Sequence, residues 1–197
     1  MAMTIGNYGK RRELVIWQQN LNKLQVGQHI ISSGKLVHVN IDIVVIQEPA
    51  LNFKDKTIVA RDWIPIYPST HEKKPQKTRS VILMNKRLPT ENWEQMEFMS
   101  GDITVVKINS NWGQITLFNI YNDCTHDGTI HELTMFCRDN RAMLTGSQAR
   151  KSSHHMVWIG DFNRHHPAWD KPEDTRLFTR EALEAAELLV MNQGIGL

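Results

Sequence analysis

The run "HHMVWIGDFNRHHPAWD", residues 154–170, decides how the rest of the chain is read. Its segment "MVWIG" (156–160) has the apolar content of a buried strand, and Asp161 and Asn163 follow it directly. A strand that finishes in a carboxylate and a carboxamide carries polar groups to the rim of a sheet, where a rigid scaffold can present them to ligands or metals.

Other strands end in the same way. "ELVIWQQN" (13–20) is β-rich and closes on Asn20, with Asn22 two positions later. "DIVVIQEP" (42–49) is a continuous apolar run that closes on Glu48 and is stopped by Pro49. "GQITLFNIYN" (113–122) closes on Tyr121 and Asn122. Between the first two, "LNKLQVGQHIISSGKL" has a weak helical period. Strand, helix, strand predicts a parallel pair joined by a crossover, with both strands ending toward one rim.

The remaining segments fill in an α/β pattern. Residues 50–78 are irregular, and a loop of that length in a compact domain is more often functional than decorative. "RSVILMNK" (79–86) reads as a strand, and "DITVVKIN" (102–109) forms a predicted hairpin with 113–122 across "SNW". Ile130, Leu133, Cys137 and Leu144 recur at helical spacing within 128–149, and residues 173–194 carry good helix formers, an acidic first turn and a terminal Gly194. Interleaved strands and helices predict an α/β sandwich in a single domain over residues 1–197.

Composition narrows the classes. With 197 residues and 41% hydrophobic content the chain can bury one ordinary core. No run approaches the roughly 20 apolar residues of a membrane span, and "MAMTIGNYGKRREL" has no apolar stretch like that of a secretory signal, so the expectation is a soluble intracellular protein without a membrane segment. Cys124 and Cys137 are too few for a disulfide framework and too far apart for a zinc knuckle; they read as ordinary buried, reduced thiols. His154, His155, His165 and His166 likewise lack the ligand spacing of a zinc site. A net charge of +2 excludes a protein that holds nucleic acid by charge alone, but "HEKKPQKTRS" (71–80) gathers Lys73, Lys74, Lys77 and Arg79, and "GKRR" (9–12) precedes what reads as the first strand.

Taken singly, each polar strand end has an ordinary explanation: turn asparagines, a surface glutamate, a core tyrosine, a helix N-cap. Together they form an inventory for phosphoryl transfer. Two carboxylates with carboxamides on one rim suit a hard divalent cation such as Mg²⁺, which prefers oxygen ligands and keeps several waters. The asparagines and Tyr121 can donate hydrogen bonds to phosphate oxygens, which carboxylates cannot.

In their order and intervals, "QQNLNKL", "VVIQEP", "FNIYN" and "WIGDFNRHHPAWD" resemble the motifs of the endonuclease/exonuclease/phosphatase superfamily, most of all the endonuclease domain of non-LTR retrotransposons, from about residue 12 to residue 197. The resemblance implies a DNase-I-like fold, a sandwich of two mixed β-sheets flanked by helices, with the active site at one edge. It implies Mg²⁺, or Mn²⁺ in its place, held by Glu48, Asn20 and Asp161. Tyr121 would hydrogen-bond the scissile phosphate, Asp161 would orient or deprotonate the attacking water, and Asn163 would position phosphate and nucleophile. Asn22, Lys77, Arg79, Asn122 and Arg164 are candidates for substrate contact. The implied substrate is DNA, nicked to a 3′-hydroxyl and a 5′-phosphate. A reverse transcriptase domain of the parent element is the implied partner, and an active element would place the protein in the nucleus. The family pattern continues with a further aspartate and a Ser/Thr-Asp-His triplet, whereas this sequence ends "VMNQGIGL". The expectation is therefore a domain incomplete at its C-terminus, with the metal end of the site but not the histidine end, and weak or no activity; His165 and His166 read as structural or substrate-side residues. The alternatives are a non-catalytic remnant that at most binds DNA, and a superfamily phosphatase acting on a small phosphoester.

Overall fold

The computed structural model describes residues 2–5, 14–32, 40–110, 113–140 and 153–163, with 171, 173 and 180 as isolated positions. Nine strands and two α-helices lie in these segments, with short 3₁₀ turns at Pro75–Lys77 and Thr90–Asn92. They are β1 (Ala2–Ile5), β2 (Leu14–Asn20), α1 (Gln25–Ser32), β3 (Ile43–Gln47), β4 (Trp63–Ile66), β5 (Ser80–Asn85), β6 (Trp93–Met96), β7 (Ile103–Ser110), β8 (Gly113–Tyr121), α2 (Gly128–Asp139) and β9 (Ser153–Asp161). One sheet has the order β1-β2-β3-β5-β4 and the other β6-β7-β8-β9. Both are mixed, because β2 with β3 and β8 with β9 are parallel while the other pairs are antiparallel.

Each sheet thus contains one strand, helix, strand unit whose parallel strands finish side by side. Asn20 is in register with Gln47, and Tyr121 with Asp161. The predicted crossover between β2 and β3 and the hairpin of β7 with β8 are both present.

The alternation of side chains along each strand builds the layers. Ile43 and Val45 of β3 pack with Leu14, Ile16, Ile82 and Met84 against Val106, Ile108, Ile115 and Leu117 of the other sheet. Val44 and Ile46 face the opposite way, onto Leu21, Trp63, Val81 and Leu83, which is why β3 reads as continuously apolar. On the far side of the second sheet, Phe118 and Ile120 meet Leu133, with Phe136 and Cys137 of α2 packed alongside. Each such side chain, taken fully out of water, contributes about 1.5–3 kcal/mol.

Three strands escape the sequence reading. Trp63–Ile66 lies inside the segment expected to be irregular; it is the outermost strand of its sheet, where Pro65, which lacks an N–H, is tolerated. Trp93–Met96 and Ala2–Ile5 are four residues each, too short to show a period. Because Ala2–Ile5 comes first, the basic run at 9–12 does not precede the first strand; the run itself lies outside the described residues. The helical stretch from 128 is observed as far as Asp139, and its continuation to 149 lies outside the described residues, as does nearly all of 173–194. Both cysteines are free, but Cys124 is exposed and only Cys137 is partly buried, which corrects the expectation of two buried thiols. Burial pushes the Cys137 thiol up to about 11. Among the described residues, no helix is long and apolar enough to cross a membrane.

Candidate active site

The two parallel strand pairs end at one rim, and the sheets are joined beneath it by buried amides. Gln18 Nε2 donates to Gln47 Oε1 at 2.6 Å, Gln47 Nε2 donates to Asn119 Oδ1, and Asn119 Nδ2 donates to the carbonyls of Ile46 and Val81, both at 2.9 Å. Ser80 Oγ adds bonds to the Asn119 carbonyl (2.9 Å) and to Thr104 Oγ1 (3.0 Å). Gln47, Asn119 and Ser80 are fully buried, and an unpaired group there would cost about 1–3 kcal/mol. Since they are paired across the sandwich, the two rims are fixed relative to each other. Gln47 and Asn119 were not singled out in the sequence, although each is a polar residue inside an otherwise apolar strand.

Above this platform Asn20 Nδ2 donates to Asp161 Oδ2 at 2.6 Å, joining residues 141 positions apart. Asn20 Oδ1 accepts the backbone N–H of Asn22 at 2.8 Å. The other oxygen of Asp161 accepts the N–H of Asn163 at 3.2 Å, so the carboxylate is oriented from two sides. The segments leaving β8 and β9 are lashed together as well. Asn122 N–H donates to the Asp161 carbonyl (2.8 Å), Asn122 Nδ2 to the Phe162 carbonyl (2.7 Å), and Asn163 Nδ2 to the Asn122 carbonyl (2.8 Å).

Glu48 follows Gln47, the register partner of Asn20. It is half-buried, and among the described residues its carboxylate makes no hydrogen bond or ion pair. Its φ of 47° is left-handed, a conformation a glutamate rarely adopts and one that costs on the order of 1–3 kcal/mol. Backbone bonds hold it there: Glu48 N–H donates to the Arg79 carbonyl (2.8 Å), and the Glu48 carbonyl accepts Lys23 N–H (2.9 Å). Asn22 and Asn163, with φ of 45° and 46°, share this conformation, which asparagine tolerates more readily.

Tyr121 is nearly buried, in register with Asp161, and close enough to Glu48 to feel its charge. Burial first and the Glu48 carboxylate second raise its pKa, against an opposing influence from Arg79. The phenol therefore stays protonated, and a donor, through neutral pH. The Arg79 guanidinium lies 4.7 Å from the centroid of the Tyr121 ring. Nε and Nη2 of Arg79 each bond Asp102 at 2.7 Å, and Nη1 bonds Asp123. Asp102 also accepts the Thr129 hydroxyl from the start of α2 at 3.0 Å. Asp102 and Asp123 escaped the sequence reading because a lone aspartate beside a strand resembles any turn residue.

Asp123 makes a pH prediction. The Thr125 hydroxyl and N–H, followed by Arg79, hold its carboxyl below the ordinary 3.8. A depressed carboxylate pKa stabilises the fold above the unfolded value, and that stabilisation is lost as pH falls through the folded value. Asp123→Asn is therefore expected to melt below wild type at pH 7, with the gap narrowing as the pH is lowered below about 4, measured by thermal unfolding.

Of the other expected site residues, Asn22 is exposed on the rim, whereas Asn122 is fully buried, so its amide serves the clasp between β8 and β9. Lys77 is exposed and lines a groove of about 500 Å³ together with Lys74, Arg79 and Gly101. Arg164, His165 and His166 lie outside the described residues.

No family model and no curated protein sequence matches the chain. Solved structures do. The endonuclease domain of TRAS1, a telomere-specific non-LTR retrotransposon, aligns at a TM-score of 0.54 and 19% identity, covering 88% of this chain and 69% of that one. The AP endonuclease LMAP from Leishmania major aligns at a TM-score of 0.60 and 12% identity, covering 90% and 66%. The shared fold is a DNase-I-like α/β sandwich of two mixed sheets. At such identities the likeness establishes the fold alone, and the chain spans about two thirds of the length of both structures.

Proposed function

We infer that this rim is the active site of a divalent-metal-dependent phosphodiesterase that nicks DNA, of the retrotransposon endonuclease type. The observation that carries the reading is Glu48: a half-buried carboxylate, unpaired among the described residues and held in a strained backbone conformation, one residue beyond the strand position that pairs with Asn20, whose amide grips Asp161. Carboxylates placed this way without a cationic side chain suit a bound cation. Two neighbours whose names describe endonucleases lend the reading further support.

The donor set fits Mg²⁺ or Mn²⁺. Glu48, Asn20 and Asp161 would offer oxygen ligands alone, which suits a hard divalent cation that keeps much of its water. When bound, such a cation neutralises charge at the phosphate oxygens. The protein groups divide the rest of the work. The Tyr121 phenol donates to a non-bridging phosphate oxygen. Asp161, oriented by Asn20 and Asn163, accepts the proton of a water that attacks the phosphorus in line. Cleavage of the bond to the 3′ oxygen leaves a 3′-hydroxyl and a 5′-phosphate. Lys77 remains available to a flanking phosphate, whereas Arg79, engaged by two carboxylates, positions Tyr121.

Plasmid nicking in Mg²⁺ tests the reading. No Ser/Thr-Asp-His triplet occurs within the 197 residues, so slow nicking is expected from this polypeptide, with nicks that a ligase reseals. Asp161→Asn is expected to lower the rate at least about 100-fold. Equal nicking by both proteins, or none from either at high protein concentration with Mg²⁺ or Mn²⁺, sinks the proposal.

A further inference from the structure

Five residues beyond Glu48, and so at most about 18 Å of chain away, the protein presents a phenylalanine to solvent. Phe53 is 92% exposed, the most exposed of the large apolar side chains among the described residues. Single apolar residues on a surface are common, and exposure alone would carry nothing. What distinguishes Phe53 is the rigidity and charge of its setting.

The tip that bears it is closed by a ring of hydrogen bonds. Asn52 N–H donates to the Lys56 carbonyl (2.8 Å), and Asp55 N–H to the Asn52 carbonyl (2.9 Å). Asn52 Oδ1 accepts the N–H groups of Lys54 (2.8 Å) and Lys56 (3.1 Å). Asp55, with φ of 57°, makes the reversal, and Leu51 and Thr57 form an antiparallel bridge at its base. Gln28 of α1 holds both legs, accepting from Ala50 N–H at 2.9 Å and donating to the Ile58 carbonyl at 3.1 Å. An aromatic ring on a preorganised tip gives up little conformational freedom on binding.

Charge identifies what such a tip would meet. Lys54 and Lys56 flank the tip, and Gln76 Nε2 bonds Asp55 Oδ1 at 2.6 Å, which ties it to the loop that carries Lys73, Lys74 and Lys77. None of these five lysines forms an ion pair among the described residues; Lys54 Nζ lies 5.6 Å from the centroid of the Phe53 ring itself, and Lys56 Nζ 4.9 Å from that of Tyr67, contacts that a phosphate can replace. An exposed aromatic ring on a rigid tip, bordered by cations that no carboxylate neutralises among the described residues, matches the two faces of a nucleic acid, bases that stack and phosphates that attract cations. We propose that Phe53 is a stacking contact for a nucleobase of the DNA substrate, a few nucleotides from the phosphodiester at the Glu48–Asp161 rim, with Lys54 and Lys56 on the adjoining phosphates. The proposal rests on the DNA reading above.

The test measures binding to an end-labelled duplex containing 2-aminopurine, by anisotropy and by the fluorescence of the analogue, in Mg²⁺ buffer. Phe53→Ala is expected to weaken binding about 5- to 100-fold and to abolish the 2-aminopurine response, with the salt dependence unchanged. Phe53→Trp is expected to retain both. Lys54→Gln with Lys56→Gln is expected to lessen the salt dependence by about one phosphate contact per lysine while keeping the 2-aminopurine signal. Since Phe53 buries almost nothing, its variants should melt with wild type. Wild-type binding that Phe53→Ala leaves intact overturns the stacking role and leaves the DNA reading standing; failure of wild type to bind any DNA overturns both.

Discussion

Glu48→Gln is expected to weaken Mg²⁺ or Mn²⁺ binding at least about 100-fold, while leaving the metal-free protein as stable as wild type. The first half follows from the donor set: replacing even the hydrogen-bond partner of a metal ligand commonly costs 10–100-fold, so loss of one of two carboxylate charges should reach the upper end or exceed it. The second half follows from what Glu48 does not touch. Its carboxylate has no hydrogen bond and no ion pair among the described residues, and the bonds that brace its left-handed backbone are made by its own N–H and carbonyl, which glutamine keeps. A change that removes no protein contact should stay within about 0.5 kcal/mol. Thermal melts with and without cation read both halves, because a ligand that binds only the folded state raises its stability by RT ln(1 + [L]/Kd). Wild type should gain with cation concentration and Glu48→Gln should not. A variant that melts low without metal would make Glu48 a structural residue, and one that keeps the cation-dependent rise would remove it from the site.

How far the sequence foretold this arrangement depends on the range of the interaction involved. Glu48 and Asp161 were visible because each closes an apolar strand, and strand order alone placed β2 and β3 side by side with a common rim. Asn20 was visible for the same reason, but not its bond to Asp161, since nothing local in "QQN" specifies a partner 141 residues away. Arg79 illustrates the limit most clearly. In sequence it is one of four cations in a basic loop and reads as a phosphate grip; in the structure Asp102 and Asp123 engage it and its guanidinium lies over the Tyr121 ring. Only the fold brings the start of β5 to the end of β8. Asn122 changed meaning in a similar way, from a substrate contact to a buried clasp. The edge strands β1, β4 and β6 were hidden because four residues carry too little periodicity, and β4 contains a proline besides. Sequence reading thus captured what strand continuity encodes and missed what cross-strand pairing adds.

Gly160→Ala is expected to damage both the fold and the site, through space and not through backbone freedom. A Cβ at position 160 would lie 1.8 Å from the Ile120 carbonyl oxygen and 2.7 Å from its carbon. Those are backbone atoms of the adjacent parallel strand, with Ile120 in register with Gly160, so no side chain can swing aside. The strands must separate at the step just before the Tyr121–Asp161 pair. Overpacking of this kind typically costs 1–3 kcal/mol, and a clash with a ladder carbonyl belongs at the top of that range, about 3 kcal/mol. For a chain of this size that corresponds to a drop in Tm of about 10 °C. The displacement also carries Asp161 away from Asn20, so the cation-dependent rise in Tm should shrink in the same variant. Gly27→Ala supplies the contrast: among the described residues its Cβ would meet the side-chain Cδ2 of Leu21 at 3.2 Å, the end of a side chain that can give by a few tenths of an ångström where a ladder carbonyl cannot, so it should melt much closer to wild type than Gly160→Ala. If Gly160→Ala melts as close to wild type as Gly27→Ala does, β8 and β9 are not in the close parallel contact that sets Tyr121 beside Asp161, and the site loses its geometric basis.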